Sequence, residues 1–130
     1  MKSITYKYTY RWMEGKDLKH FDKNVLRFVK NPKNITYVVE DENNFVGIVV
    51  YNLKKKKINI INIGYENDEI FCLIINEISS KFEDKDIVME VCQYDLGAHL
   101  LLKKMGFKAV SIEKEEGNDF YVFIKKGNHQ

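Results

Sequence analysis

Glu90-Val91-Cys92-Gln93-Tyr94-Asp95, continuing through Ala98-His99-Leu100-Leu101-Leu102-Lys103-Lys104-Met105 into Gly106-Phe107, is the stretch whose reading decides the fold. Its first residues close an extended segment over 86–93 whose middle, Ile87-Val88-Met89, is wholly apolar. Such a segment reads as a central strand buried on both faces. Asp95 stands where its carboxylate caps a helix running to Met105, and Gly106 supplies the left-handed position that stops it. Strand, short turn and helix of this kind belong to a sheet whose strands are joined by crossovers.

Upstream, residues 4–11 alternate, with Ile4, Tyr6, Tyr8 and Tyr10 on one face, and predict a strand. Between 15 and 30 the period becomes helical. Leu18, Phe21, Val25, Phe28 and Val29 share one side, and Asn31-Pro32 ends the helix. Strands are predicted over 35–40, 45–52 and 58–65. Their connections, at 41–44 and at the four lysines 54–57, have hairpin length, so the three form an antiparallel meander. Residues 70–82 carry Leu73, Ile74, Glu77 and Ile78 at helical spacing, and 108–113 and 119–125 form a last pair of strands. The order is β-α-β-β-β-α-β-α-β-β. It predicts an α/β fold with a mixed, twisted sheet and helices on both faces. One domain over 1–126 with a short polar tail at 127–130 is expected.

Composition agrees with that reading. The chain has 130 residues, 45% hydrophobic and 31% charged, as a soluble globular domain does. No apolar run approaches the roughly 20 residues of a membrane helix, and the N-terminal residues lack a secretory apolar core. Cys72 and Cys92 have no partner at metal-ligand spacing and read as reduced thiols of a cytoplasmic protein without a metal. Residues 1–65 carry 13 Lys/Arg against 6 Asp/Glu, and residues 66–130 carry 8 against 13. The lysines at 54–57 lack interleaved aromatic residues, so they read as a charged hairpin tip that keeps the edge soluble, not as a nucleic-acid site.

Several short motifs resemble the GNAT acyltransferases, and the likeness extends over nearly the whole chain. Tyr10-Arg11-Trp12-Met13 with Asp17-Leu18 looks like the family's first strand and helix. Val38-Val39-Glu40-Asp41 and Asn44-Phe45-Val46-Gly47-Ile48 resemble its second and third strands, and Ile61-Asn62-Ile63-Gly64 its fourth. Met89-Glu90-Val91 through Gly106-Phe107 resembles the fifth strand and the helix after it. The nearest subgroup is the N-terminal acetyltransferases of ribosomal proteins.

The resemblance implies acetyl transfer from acetyl-CoA to an amine, either a protein N-terminus or a small molecule. It implies that strands four and five splay and that the pantetheine arm adds along Ile63, Gly64 and Tyr65. Glu90 aligns with the carboxylate that deprotonates the amine in the subgroup. A carboxylate buried in an apolar central strand must be paired or functional, so Glu90 reads as functional, as half of a structural ion pair, or as exposed at the strand end. Cys92 as a nucleophile lacks a partner, since His99 is placed on the solvent side of its helix.

The chain departs from the family pattern twice. Where the phosphate loop runs Gln or Arg, two residues, Gly, one residue, Gly or Ala, this chain has Tyr65-Glu66-Asn67-Asp68-Glu69-Ile70-Phe71-Cys72. That passage lacks a glycine or a cation and carries three carboxylates, so it reads as a degenerate pyrophosphate loop. Where many members have a tyrosine that protonates the leaving thiolate, this chain has Leu102, which donates nothing. Tyr94 and Tyr121 are the remaining phenols nearby in sequence. Two functions stay open at this point: an active N-acetyltransferase, or a GNAT-fold interaction module that has lost acetyl-CoA binding.

Overall fold

A computed structural model describes residues 7–128 and the backbone of residues 2–5. Tyr6 and the tail residues His129 and Gln130 lie outside the described residues. Strands β1 (Lys2–Thr5) and β2 (Tyr8–Trp12) pair antiparallel, with Thr5 opposite Tyr8 and Lys2 opposite Arg11. The single strand expected over 4–11 is thus a hairpin. The residues that join the strands carry none of the Gly, Asn or Asp that mark two-residue turns.

The helix expected over 15–30 divides in two. Gly15–His20 is a 3-10 helix, Phe21 is extended, and α1 covers Lys23–Val29. Asp22 starts the second piece by accepting a 2.9 Å hydrogen bond from the Val25 amide. Phe21 stays on the apolar side through the break and packs at a tilt against Phe45.

Strands β3 (Asn34–Asp41), β4 (Asn44–Leu53) and β5 (Lys57–Tyr65) form the expected meander. Helix α2 (Asp68–Lys81) then carries the chain across to β6 (Asp86–Cys92), which lies parallel to β5. After α3 (Leu96–Lys104), β7 (Lys108–Glu115) becomes the outer strand and β8 (Asn118–Lys125) inserts between β6 and β7. The eight strands stand in the order β1-β2-β3-β4-β5-β6-β8-β7. Asp95 caps α3 through the Ala98 amide at 3.1 Å. Gly106, at φ 95, ends it with the Gly106 and Phe107 amides on the carbonyls of Lys103 and Leu102.

Strand alternation sorts the core onto two faces. Val39, Val49, Tyr51, Ile58, Ile60, Ile87 and Phe123 pack against Ile70, Phe71, Ile74, Ile75 and Ile78 of α2 and Leu101 and Leu102 of α3. Each such side chain stabilises by about 1.5–3 kcal/mol on burial. On the other face, Val38, Ile48 and Val50 meet Phe21 and the half-buried Val25, Leu26, Phe28 and Val29 of α1. Helix α1 contacts β3 and β5, and next to it a groove opens over residues of β6 and β8.

Arg11 ties the start of the chain to this sheet. Its guanidinium donates to both carboxylate oxygens of Asp17 at 2.8 and 2.9 Å, to Glu40 at 2.7 Å and to the Trp12 carbonyl at 2.9 Å. Asp17 also accepts from the Glu14 amide at 2.8 Å. Burial alone would raise the Asp17 carboxyl; Arg11 and the Glu14 amide outweigh it and hold it below its usual range. Arg11 likewise lowers Glu40. Both carboxyls are depressed in the folded state, so their contribution is present above about pH 4 and is lost as pH falls through the folded values. Replacing Arg11→Met strands a buried carboxylate and is expected to cost about 3–5 kcal/mol in urea denaturation at pH 7. That loss is expected to shrink at acid pH, where Asp17 and Glu40 protonate; a loss constant with pH would contradict this account.

Candidate functional site

The sheet forks in its middle. β5 and β6 pair from Lys57 opposite Asp86 to Ile60 opposite Met89, and the ladder ends there. Beyond that point β5 stays with β4, ending at Tyr65 opposite Gly47, and β6 stays with β8, ending at Cys92 opposite Phe120. A bulge marks the parting. Tyr51 opposes Ile60 while Val50 opposes Asn62, so Ile61 is the extra residue on β5. A bulge bends its strand and increases the local twist, which turns the upper arm of β5 away from β6. Glu90 is the first residue of the opposite arm. The fork therefore opens between Ile61 and Glu90.

The three residues expected to form a ligand-binding edge lie on the upper arm of β5. Ile63 and Tyr65 pack into the larger core, Tyr65 edge-on to Phe71 with centroids 4.9 Å apart. A Cβ at Gly64 would sit 3.2 Å from Ile48 Cγ2, so this glycine serves close packing within the sheet. Gly47 is tighter still: a Cβ there would lie 2.8 Å from Ile70 Cγ2, so its absence lets α2 seat directly on β4 beside the arm. Burial, then the charges of Asp95 and Asp68, push the Tyr65 phenol up. The starts of α2 and α3 thus both bear on the end of this arm.

Only Glu66 and Asn67 connect β5 to α2. The Glu66 amide continues the pairing by donating to the Val46 carbonyl at 3.1 Å. Asn67 caps the helix, its side-chain oxygen accepting from the Ile70 amide at 3.1 Å. Asp68 and Glu69 fill the first turn and are exposed. The connection is two residues long, and the acidic first turn of α2 suits the helix dipole.

Glu90 is exposed near the end of β6, the last of the alternatives the sequence left open. Its side chain opens into a groove of about 730 Å³ whose walls include Phe28, Ile61, Val88, Phe120, Glu113 and Glu115. The groove is the part of the sheet that α1 leaves uncovered. Partial desolvation, then a hydrogen bond with Glu113 and the charges of Glu113 and Glu115, raise the Glu90 carboxyl above its ordinary value. A carboxylate so placed accepts a proton more readily near neutral pH than a free one does.

The remaining candidates divide. Leu102 is fully buried in the core. Tyr94 is 74% exposed, whereas Tyr121 packs edge-on to His99 with centroids 5.0 Å apart. His99 is half-buried against Tyr121 and Phe123, not on the solvent side as expected. Its Nε2 donates to the Cys92 carbonyl at 3.0 Å, which fastens α3 to the end of β6. Ile61, Glu113 and Glu115 were missed from the sequence. The bulge has a visible signal: Ile58, Ile60, Ile61 and Ile63 break the alternation by one residue at Ile60-Ile61.

No protein-family model matches the sequence, and no curated protein does. Solved structures match the fold over nearly the whole chain. The ribosomal-protein-S18-alanine N-acetyltransferase from Escherichia coli has a TM-score of 0.74 at 12% identity, covering 91% of this chain and 92% of that one. Arabidopsis thaliana NAA60, in complex with a bisubstrate analogue, has a TM-score of 0.77 at 15% identity, covering 93% and 98%. A GNAT family acetyltransferase from Elizabethkingia anophelis with acetyl-CoA bound has 0.77 at 16%, covering 94% and 99%. The chain has the GNAT fold. The mixed sheet with helices on both faces is the one expected.

Proposed function

We propose that this chain transfers an acetyl group from acetyl-CoA to an amine, either a protein N-terminus or a small molecule. The observation that carries the reading is the fork itself, with an open strand edge on one arm and a proton-accepting Glu90 on the other. The backbone of β5 from Ile61 to Tyr65 has one edge paired with β4, and its other edge faces the fork. Backbone donors and acceptors left there suit an extended amide-bearing chain such as pantetheine. Ile63, Gly64 and Tyr65 would bind that chain through their main-chain groups, and amides at the bulge would polarise the thioester carbonyl.

Acetyl-CoA supplies the activated acyl group and a thiolate leaving group. Glu90 takes the proton from the incoming ammonium, directly or through a water in the groove. The freed nitrogen lone pair then forms the new C–N bond as the C–S bond breaks. The acidic, self-capped start of α2 offers little to the diphosphate. Affinity for the nucleotide end is therefore expected to be weak, with pantetheine giving most of the binding. The likeness of fold to acetyltransferases supports this reading alongside the fork.

The test is acetylation of an amine panel by the wild-type chain and by Glu90→Gln. The substitution is expected to lower kcat/KM about 10²-fold, the usual contribution of a general base. Because Glu90 must be ionised to work and its carboxyl is raised, wild-type activity is expected to fall as pH drops through that elevated value. This acid limb should be missing in the variant. Undiminished activity in Glu90→Gln removes Glu90 as base, and no acetyl transfer by wild type with no acetyl-CoA binding refutes the whole reading.

Removing the acidic turn gives a second check. Asp68→Asn with Glu69→Gln is expected to cost about 1 kcal/mol of stability through the helix dipole. The same double variant should bind acetyl-CoA several-fold tighter at low salt by calorimetry. Unchanged or weaker binding would place the nucleotide away from α2.

A further inference from the structure

Five of the eight large apolar side chains that stand exposed among the described residues lie between 94 and 112. The three most exposed of the eight gather at α3: Tyr94 at 74%, Leu100 at 69% and Leu96 at 68%. Ala98, Leu101 and Leu102 turn inward and fill the core. The outer side of the same helix carries Leu96, Leu100 and Lys104 as one row at i, i+4 spacing, a ridge of the kind that helices pack into one another. Gly97 stands beside that ridge, where a Cβ would meet only Asp95 Oδ1 at 3.9 Å, so it deepens the furrow next to Leu100. The patch continues onto the sheet. Exposed Ile112 of β7 lies opposite Tyr121, which packs edge-on to His99 of α3. A contiguous exposed apolar surface marks a place of interaction. The charges along α3 say with what. Asp95 at its start accepts from the Ala98 amide through Oδ1, and Lys103 and Lys104 occupy its last turn. Among the described residues neither lysine lies within ion-pair distance of an acid.

We propose that α3 is the contact between two copies of this chain, packed antiparallel about a two-fold axis beside Leu100. A negative start, an apolar middle and a positive end make a self-complementary surface, which is what a two-fold interface requires. Leu100 then meets its own copy over the furrow at Gly97. Leu96 lies along the methylenes of Lys104 of the second copy, whose ammonium reaches Asp95. Eight residues separate Leu96 from Lys104, about 12 Å of helix, so the symmetric pair makes this contact twice. Parallel packing would set lysine against lysine and Asp95 against Asp95. Helix α3 sits on the face of the sheet opposite Phe28 and the groove, so the Glu90 site stays open in the pair. The pairing is independent of the acetyl-transfer reading.

The test is sedimentation equilibrium of the full chain from about 5 to about 500 µM at low salt. One short helix and its flanks make a small interface, so a dimer with a Kd on the order of tens of micromolar is expected. Leu96→Gln with Leu100→Gln keeps good helix formers on an exposed face and should leave a monomer throughout, with its fold checked by far-UV dichroism. Lys103→Glu with Lys104→Glu should weaken pairing at least about tenfold, the scale of two partly screened ion pairs. Raising salt to about 0.5 M should weaken the wild-type dimer and spare what pairing that charge variant retains. A wild-type chain that stays monomeric at the highest concentration overturns the proposal. So does pairing that survives the double Gln substitution, which puts the contact elsewhere. Pairing indifferent both to the lysine reversal and to salt refutes the antiparallel arrangement and the proposal with it.

Discussion

The pairing of β5 with β6 through four residue pairs, and its end at Ile60 and Met89, is the constraint on which the site depends. Neither arm can rejoin the other. β5 is committed to β4, because Ile63 and Tyr65 must reach the core that α2 covers. β6 is committed to β8, where Val91 faces Tyr121 and Cys92 faces Phe120. With the extra residue at Ile61, the two commitments become incompatible with a closed ladder. A strand edge left open inside a domain keeps unpaired amides and carbonyls that water or a ligand must satisfy.

Around that fork, the packing decides what is exposed. Arg11 gathers Asp17, Glu40 and the Trp12 carbonyl, which fixes the 3-10 helix against the sheet and with it the path into α1. Helix α1 packs on β3 and β5, and beside it Phe28 forms a wall of the groove whose floor comes from β6 and β8. On the opposite face, α2 and α3 fill the core completely, and Leu102 at the usual position of a phenol is part of that filling. The carboxylates of the groove, Glu90, Glu113 and Glu115, accordingly all lie on one face of the sheet.

Much of this was legible in the sequence because it rests on local rules. The meander, the crossover helix at 70–82, the cap at Asp95 and the stop at Gly106 each follow from periodicity or cap chemistry. The N-terminal hairpin was hidden because the alternation runs on through both strands and the residues between them carry none of the usual turn residues. The break at Phe21 was hidden because the apolar period continues across it, and only Asp22 as a cap discloses it. Glu90 was placed on the right strand, with its exposure left open. Its exposure depends on how α1 sits on the sheet beside the groove, a tertiary fact that no local pattern carries. Glu113 and Glu115 look like ordinary edge-strand charges until the register sets them beside Glu90.

The central claim, that the open arm of β5 receives an extended acyl-thioester arm as a further strand, is tested most directly by amide hydrogen exchange with and without acetyl-CoA. Amides between Ile61 and Tyr65 that face the fork are expected to exchange freely in the isolated chain and to gain protection of at least about tenfold when acetyl-CoA is saturating. The paired segment from Lys57 to Ile60 should change little. Protection that appears elsewhere, or not at all at saturating ligand, would contradict the account.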